Sequence, residues 1–320
     1  MPSLTKHRTS WSALVLAIAL ASSLALAACG GGDGDGEPEA TATAAEQAPT
    51  EEPTQASADS VEVGEAYWHA GFKVTLGDAT LTRDGAAGVV TIDATFENLG
   101  DRDATPDSQL ALTSGGNSYT ESSFEGEIPQ VPAGLTSNGT LAFDVDDAFS
   151  FDDAMLIVGN PNNNRAFIPF RAGGEELVTL EPQTIVASGT GTAGAVTARL
   201  TGAELRADLP NQHSEMEAGK LALTVSFDID VGSGIAIGQG VFQSQNVALI
   251  MPDGTAVAVR SDGVSGVNEL LQGKEGTTIS DLSVRFEVDD PAAGAYMFVV
   301  RGNYGPGGEM VEDQIPFDVP

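Results

Sequence analysis

The sequence is short of thiols, of cations and of histidine, and each shortage removes a class of chemistry. One cysteine, Cys29, stands in 320 residues. A disulfide within the chain is therefore excluded, and so is a zinc site built on several thiolates. Lysine and arginine number 14 against 46 aspartates and glutamates, for a formal net charge of −32. Nucleic acid and anionic headgroups are gripped through lysine and arginine, so a surface of this sign repels both. Acidity of this degree keeps an exported protein soluble or suits a host that lives in salt. Aromatic residues are only 6% of the chain, whereas 38 glycines and 16 prolines supply turns. That balance favours short strands over long helices. Hydrophobic residues, at 41%, still suffice for packed cores.

What is present begins at the N-terminus. Met1 to Ser10 carries Lys6 and Arg8 and no acid, and Trp11 to Leu26 is apolar apart from Ser12, Ser22 and Ser23. This core is shorter than a comfortable membrane span of about 20 residues and fits the h-region of a signal peptide. It ends in Leu26-Ala27-Ala28-Cys29. That run resembles the lipobox of bacterial lipoproteins, in which small residues admit the signal peptidase and the thiol takes a diacylglyceryl thioether. Two acyl chains give stable anchoring where one is marginal. The expectation is a cleaved leader over 1–28, palmitate-type acylation at Cys29, and everything beyond it on the extracytoplasmic face. In a host with two membranes, the outer one is the alternative address. Residues 29–60 open with Cys29, run Gly-Gly-Gly-Asp-Gly-Asp-Gly-Glu over 30–37 and continue with Ala, Thr, Glu, Pro and Gln, the composition of a disordered tether. Asp33, Asp35 and Glu37 lack the remainder of a calcium loop and read as solvated linker.

From Val61 the pattern is strand and turn. Phe72 to Leu76, Val89 to Phe96 and Thr140 to Val145 alternate apolar and polar residues, as half-buried strands do. Asp84-Gly85, Asn98-Leu99-Gly100 and Ser114-Gly-Gly-Asn117 separate them, and no long amphipathic helix is evident. The second half repeats the first in order. Leu76, Ala79 and Leu81 match Leu200, Ala203 and Leu205, and Phe96 matches Phe227. Leu110-Ala-Leu112 matches Val247-Ala-Leu249, and Phe143-Asp-Val-Asp-Asp147 matches Phe286-Glu-Val-Asp-Asp290. Ile168-Pro-Phe170 matches Ile315-Pro-Phe317. An offset that only grows is what duplication with lengthened loops produces. The pattern predicts an all-β protein with two tandem immunoglobulin-like sandwiches, over 61–175 and 195–320, joined by a linker over 176–194.

The run Phe96-Glu-Asn-Leu-Gly100, a hairpin, a Gly-rich approach and Leu141-Ala-Phe-Asp-Val145 together resemble the telokin-like, immunoglobulin-fold domains of secreted bacterial lipoproteins. Those form a family of unknown function. Leu271-Gln-Gly-Lys-Glu-Gly276 is similar to that family's turn before its penultimate strand, whereas Gly232 to Gly240 has no counterpart there. The shared motifs are turns and strands, so the resemblance implies a fold and no activity.

Catalytic signals are thin. With His7 in the leader, His69 and His213 are the remaining histidines, and no Gly-x-Ser-x-Gly turn accompanies them; Gly263-Val-Ser-Gly266 has the wrong spacing. Each reads as a surface or edge-of-core residue. Gly189-Thr-Gly-Thr-Ala-Gly194 has the spacing of a nucleotide-binding turn, but a strand-like run follows where a helix is needed, so it reads as linker. Asp146, Asp147, Asp152 and Asp153 are the densest carboxylate set, a weak calcium candidate set against solvated loop. Tyr67-Trp68 and Tyr304 read as packing at a sheet edge, with a binding patch as the alternative. The expectation is a membrane-anchored, non-enzymatic binding or structural lipoprotein, with no cofactor, no nucleic acid and a protein partner at loops or edges. Its alternatives are a calcium- or solute-binding accessory lipoprotein and an extracytoplasmic hydrolase.

Overall fold

The computed structural model describes residues 58–320 apart from 107–108, 123–125, 172–175 and 236–239. The lipobox residues Leu26, Ala27, Ala28 and Cys29, the leader and most of the tether lie outside the described residues. Among the described residues no helix is long and apolar enough to cross a membrane.

The described chain is nearly all strand, in antiparallel sheets. In the N-terminal half the strands are β1 (Ala58–Glu62), β2 (Ala66–His69), β3 (Phe72–Asp84), β4 (Ala87–Asn98), β5 (Leu110–Ser114), β6 (Asn117–Thr120), β7 (Thr136–Val145), β8 (Met155–Val158) and β9 (Ala166–Pro169). One sheet runs β1-β3-β4-β7 with β2 also on β3, and the other runs β6-β5-β8-β9. Every second residue of β4, from Val90 through Ile92 and Ala94 to Phe96, is buried, as a half-buried strand requires. These side chains meet Leu112, Leu156 and Ile168 of the facing sheet in one core.

The C-terminal half opens with β10 (Gln183–Ile185) and β11 (Gly189–Ala193), then β12 (Val196–Arg206), β13 (Asp208–Leu209), β14 (Ser214–Glu215) and β15 (Lys220–Val231). It continues with β16 (Val241–Phe242), β17 (Val247–Ile250), β18 (Ala256–Val257), β19 (Val264–Ser265), β20 (Glu269–Leu270), β21 (Thr278–Asp289), β22 (Gly294–Gly302) and β23 (Val311–Val319). Its main sheets run β10-β12-β15-β21-β19 and β18-β17-β22-β23. The order β3-β4-β7 facing β6-β5-β8-β9 therefore returns as β12-β15-β21 facing β18-β17-β22-β23. A second core, built on Phe227, Phe286 and Phe298, fills this half.

The strand pairing tests the sequence repeat residue by residue. Both leading strands carry a one-residue bulge at the same place, between Leu76 and Ala79 in β3 and between Leu200 and Gly202 in β12. Leu81 pairs with Val90 and Val90 with Phe143, while Leu205 pairs with Leu223 and Leu223 with Phe286, so Phe143 and Phe286 correspond. Leu112–Leu156–Ile168 likewise corresponds to Leu249–Phe298–Ile315. One match slips. Leu76 faces Ala94 whereas Leu200 faces Phe227, so Phe227 stands where the first half has Ala94, and Phe96 answers to Ile229. A slip of two keeps the same face buried, which is why alternation alone does not detect it.

Two boundaries also move. Ala58 to Ser60, expected in the tether, pair with Leu81 and its neighbours as part of β1. Residues 176–194, expected as a connector, contribute β10 and β11 to the sheet edge beside β12. Gly189 and Gly191 are needed there, because a Cβ at either would meet the Ile315 side chain at 2.7 Å. The described residues fall in one compact unit.

Candidate functional site

The tip of the β2–β3 hairpin is a two-residue turn, Ala70-Gly71, with both residues at positive φ (46° and 82°). Such a turn suits the twist of a hairpin and leaves its two N–H groups pointing outward. They meet carboxylates of the C-terminal half. Gly71 N–H donates to Asp208 Oδ2 at 2.8 Å, and Ala70 N–H donates to Glu215 Oε1. Short strands β13 and β14, joined by the turn Pro210–Gln212, hold the two acids side by side.

Around that contact the two halves share a buried polar cluster. His69 Nδ1 lies 3.0 Å from Glu215 Oε1, and the two side chains are 5% and 4% exposed. The approach is at ion-pair distance without hydrogen-bond alignment, and Glu215 Oε2 has no hydrogen-bond partner among the described residues. Asp208, 2% exposed, is neutralised by Arg206, whose Nε donates to Oδ1 at 2.7 Å. Burial works against the Arg206 charge, but Asp208 and Glu204 overcome it and hold the guanidinium above its usual range. Burial pushes the Glu215 carboxyl up, partly countered by His69 and by the Ala70 amide.

His213 closes the other side of the turn. Its backbone is left-handed (φ 49°), and its ring lies 5.4 Å from the Phe72 ring. Both ring nitrogens are buried without a hydrogen-bond partner among the described residues. Glycine makes the room: a Cβ on Gly100 would stand 2.7 Å from His213 Cε1 and 2.8 Å from the Pro210 carbonyl oxygen. This explains the run Phe96 to Gly100. Asn98 is fully buried and its amide donates to the carbonyls of Arg102 and Val131, while its Oδ1 accepts from Gly100 N–H. That fixes Gly100 against His213. An asparagine-rich loop adds a second seam: Asn163 Nδ2 reaches the carbonyls of Glu215 and Met216, and Asn164 Nδ2 that of Lys220 at 2.7 Å.

The histidines singled out in the sequence therefore lie at one joint, on either side of one turn. Neither forms a nucleophile–base pair in the hydrogen bonds described. Sequence reasoning passed over Asp208, Arg206, Glu215 and the asparagine loop. The run Pro161-Asn-Asn-Asn164 was the available signal, since such a run favours turns with side chains free to bond backbone.

The acidic set is divided rather than gathered. Asp146 accepts from the Tyr119 hydroxyl at 2.8 Å and from Ala148 N–H. Asp153 accepts from Ser114 and Gly115, both at 2.7 Å, and these bonds hold its carboxyl below the usual range. Asp152 faces Arg171 at 2.5 Å, and Asp147 is exposed. Among the described residues no three His, Cys, Asp or Glu side chains are grouped to hold a metal. Asp152 and Asp153 instead line an open cleft of about 410 Å³ with Ser114 and Arg171. Tyr67 and Tyr304 are buried in the two cores, 3% and 4% exposed.

A second cleft, of about 590 Å³, opens in the C-terminal half. Gln243, Gln245, Asn246, Asn303, Arg301 and Glu312 line it, with Val241 and Met310 exposed at its rim. The turn Ser244–Asn246 is fixed by a reciprocal bond pair between Gln243 and Asn246, and Asn246 Nδ2 donates to the Arg301 carbonyl. The Asn246 side chain is thus held at both ends.

No protein-family model and no curated protein matches the chain. Among solved structures, a conserved domain protein from Bacillus anthracis is similar at 15% identity, covering 82% of this chain and 92% of that one. Its TM-score is 0.25, too low to support an argument.

Proposed function

We propose that this chain is a lipid-anchored, extracytoplasmic lipoprotein that acts as a non-enzymatic binding or structural module. It would consist of two telokin-like, immunoglobulin-type domains on a tether from Cys29. The observation that carries the non-enzymatic reading is where the titratable groups lie. His69, His213 and Glu215, the best acid–base candidates, are enclosed where the halves meet. The two clefts described above are lined by amides, hydroxyls, carboxylates and arginine. A hydrolase needs a base, an orienter and a nucleophile converging on an accessible point. Burial of the histidines at a joint gives them a different task.

The test is metabolic labelling with palmitate in a bacterial host, with Cys29→Ala alongside, followed by membrane fractionation. The reading expects label and membrane retention in the native chain and neither in the variant. An unlabelled native chain, or one whose leader remains attached, overturns it.

A second reading, a solute-binding accessory lipoprotein, is favoured by the cleft around Gln243 and Arg301. Fixed side-chain amides and one guanidinium are suited to hydroxyl-rich or carboxylate-bearing small molecules. Thermal-shift screening with neutral and acidic oligosaccharides, in the native chain and in Arg301→Ala, separates this reading from the first. Stabilisation that the variant loses supports it.

A further inference from the structure

The buried side-chain atoms without a hydrogen-bond partner among the described residues belong to His69, Arg206, His213 and Glu215, all at the joint. A sandwich core gains nothing from such groups, and leaving them unpaired is costly. Their concentration at one contact between the halves asks for a reason.

We propose that the joint is a proton-operated latch, in which His69 and Glu215 hold one proton between them and the contact loosens when that proton leaves to solvent. With the proton on His69 the pair is imidazolium and carboxylate. With it on Glu215 both side chains are neutral. In either state the net charge is zero, and Ala70 N–H keeps its acceptor. Once the proton is lost, neutral His69 faces a bare Glu215 carboxylate whose side chain is 4% exposed and which stands beside a second acid, Asp208. An unpaired buried charge is the least tolerable state in a protein interior.

No neighbouring cation relieves it. Arg206 is committed to Asp208 and Glu204, and Arg260 to Asp262 and Glu287. Arg285 is pushed down by burial, with Asp262 and Asp208 opposing that push and Arg260 and Arg206 adding to it. Arg102 reaches the Gln212 carbonyl at 3.4 Å, Arg165 lies over the Phe167 ring and Lys73 over Trp68. Among the described residues, His69 is the basic group at ion-pair distance from Glu215. His213 lies across the turn, against Phe72.

The direction follows by linkage. Burial raises the Glu215 carboxyl above its unfolded value, so at this group the closed joint keeps a proton that the open one releases. Closure is therefore strongest in acid and is lost as pH rises through the range where the pair gives up its proton. The latch does not depend on the anchoring or binding reading above.

Hydrogen exchange on the full chain, corrected for intrinsic rates, tests it across a pH series running from the ordinary carboxylate range upward. Peptides over 66–72 and 207–216 report the joint, and those over β4 and β15 report the cores. In the native chain, joint protection should fall severalfold relative to the cores over that range. Glu215→Gln, which cannot form the buried carboxylate, should not show this fall as pH rises. His69→Gln, which removes one of the two proton sites, should move the onset of loosening to lower pH. Parallel profiles in native and Glu215→Gln chains, protection that rises with pH, or an onset unmoved by His69→Gln would each overturn the latch.

Discussion

The interior of each half and the joint between them are built on opposite terms. In the cores, Phe143 and Phe286 occupy corresponding positions, wholly buried among apolar neighbours. At the joint, His69, Glu215, Asp208 and Arg206 are nearly as buried, yet they are ionisable and incompletely satisfied. Apolar burial is indifferent to pH and tolerates duplication, because the same alternation can be copied from one half to the other. A charged contact is specific and conditional. The first half supplies a turn whose two N–H groups meet two acids of the second, whereas the corresponding turn of the second half, Gly194-Ala195, donates its Ala195 N–H to Tyr304 of its own half.

The comparison is broken most severely from the core side. Phe143→Ala and Phe286→Ala should each cost about 3–5 kcal/mol, since both rings are fully buried. Chemical denaturation checks this, and similar losses at the two sites would support their correspondence. Asn98→Ala comes next. It strands the carbonyls of Arg102 and Val131 and the Gly100 N–H, and should cost about 2–3 kcal/mol by the same measurement. Gly71→Ala places a Cβ 2.7 Å from the Pro210 carbonyl oxygen at a positive φ. It should cost about 1–3 kcal/mol and raise exchange in 207–216 more than in β15. The smallest effect belongs to the outer surface. Arg171→Ala removes an exposed ion pair with Asp152 and should change stability by no more than about 1 kcal/mol, less in high salt.

Much of the sandwich was legible in the sequence, because its cause is local. Alternation in Val89 to Phe96 and the glycine turns at 84–85 and 114–117 report strands and hairpins directly. The repeat was legible because shared core positions demand shared residue types. Its one slip, Phe96 set against Phe227, arose where a displacement of two leaves the buried face intact. Strands β10 and β11 were missed because Gly189-Thr-Gly-Thr carries little apolar alternation. Their pairing is dictated by the edge of β12 and by the Ile315 side chain packed over the glycines. The joint was illegible for a different reason. His69 and Glu215 are brought together by the fold from opposite halves, and neither has a local pattern naming its partner. His213 was visible only as a lone histidine in a polar loop, although Gly100 is small on its account.

The coupling of the halves is tested most directly by differential scanning calorimetry of the native chain against Gly100→Ala. A Cβ there would strike His213 and Pro210 of the other half. The account predicts one cooperative transition in the native chain, and in Gly100→Ala a separation into two, with the individual cores still folding. Two transitions already present in the native chain, or an unchanged profile in Gly100→Ala, would contradict it.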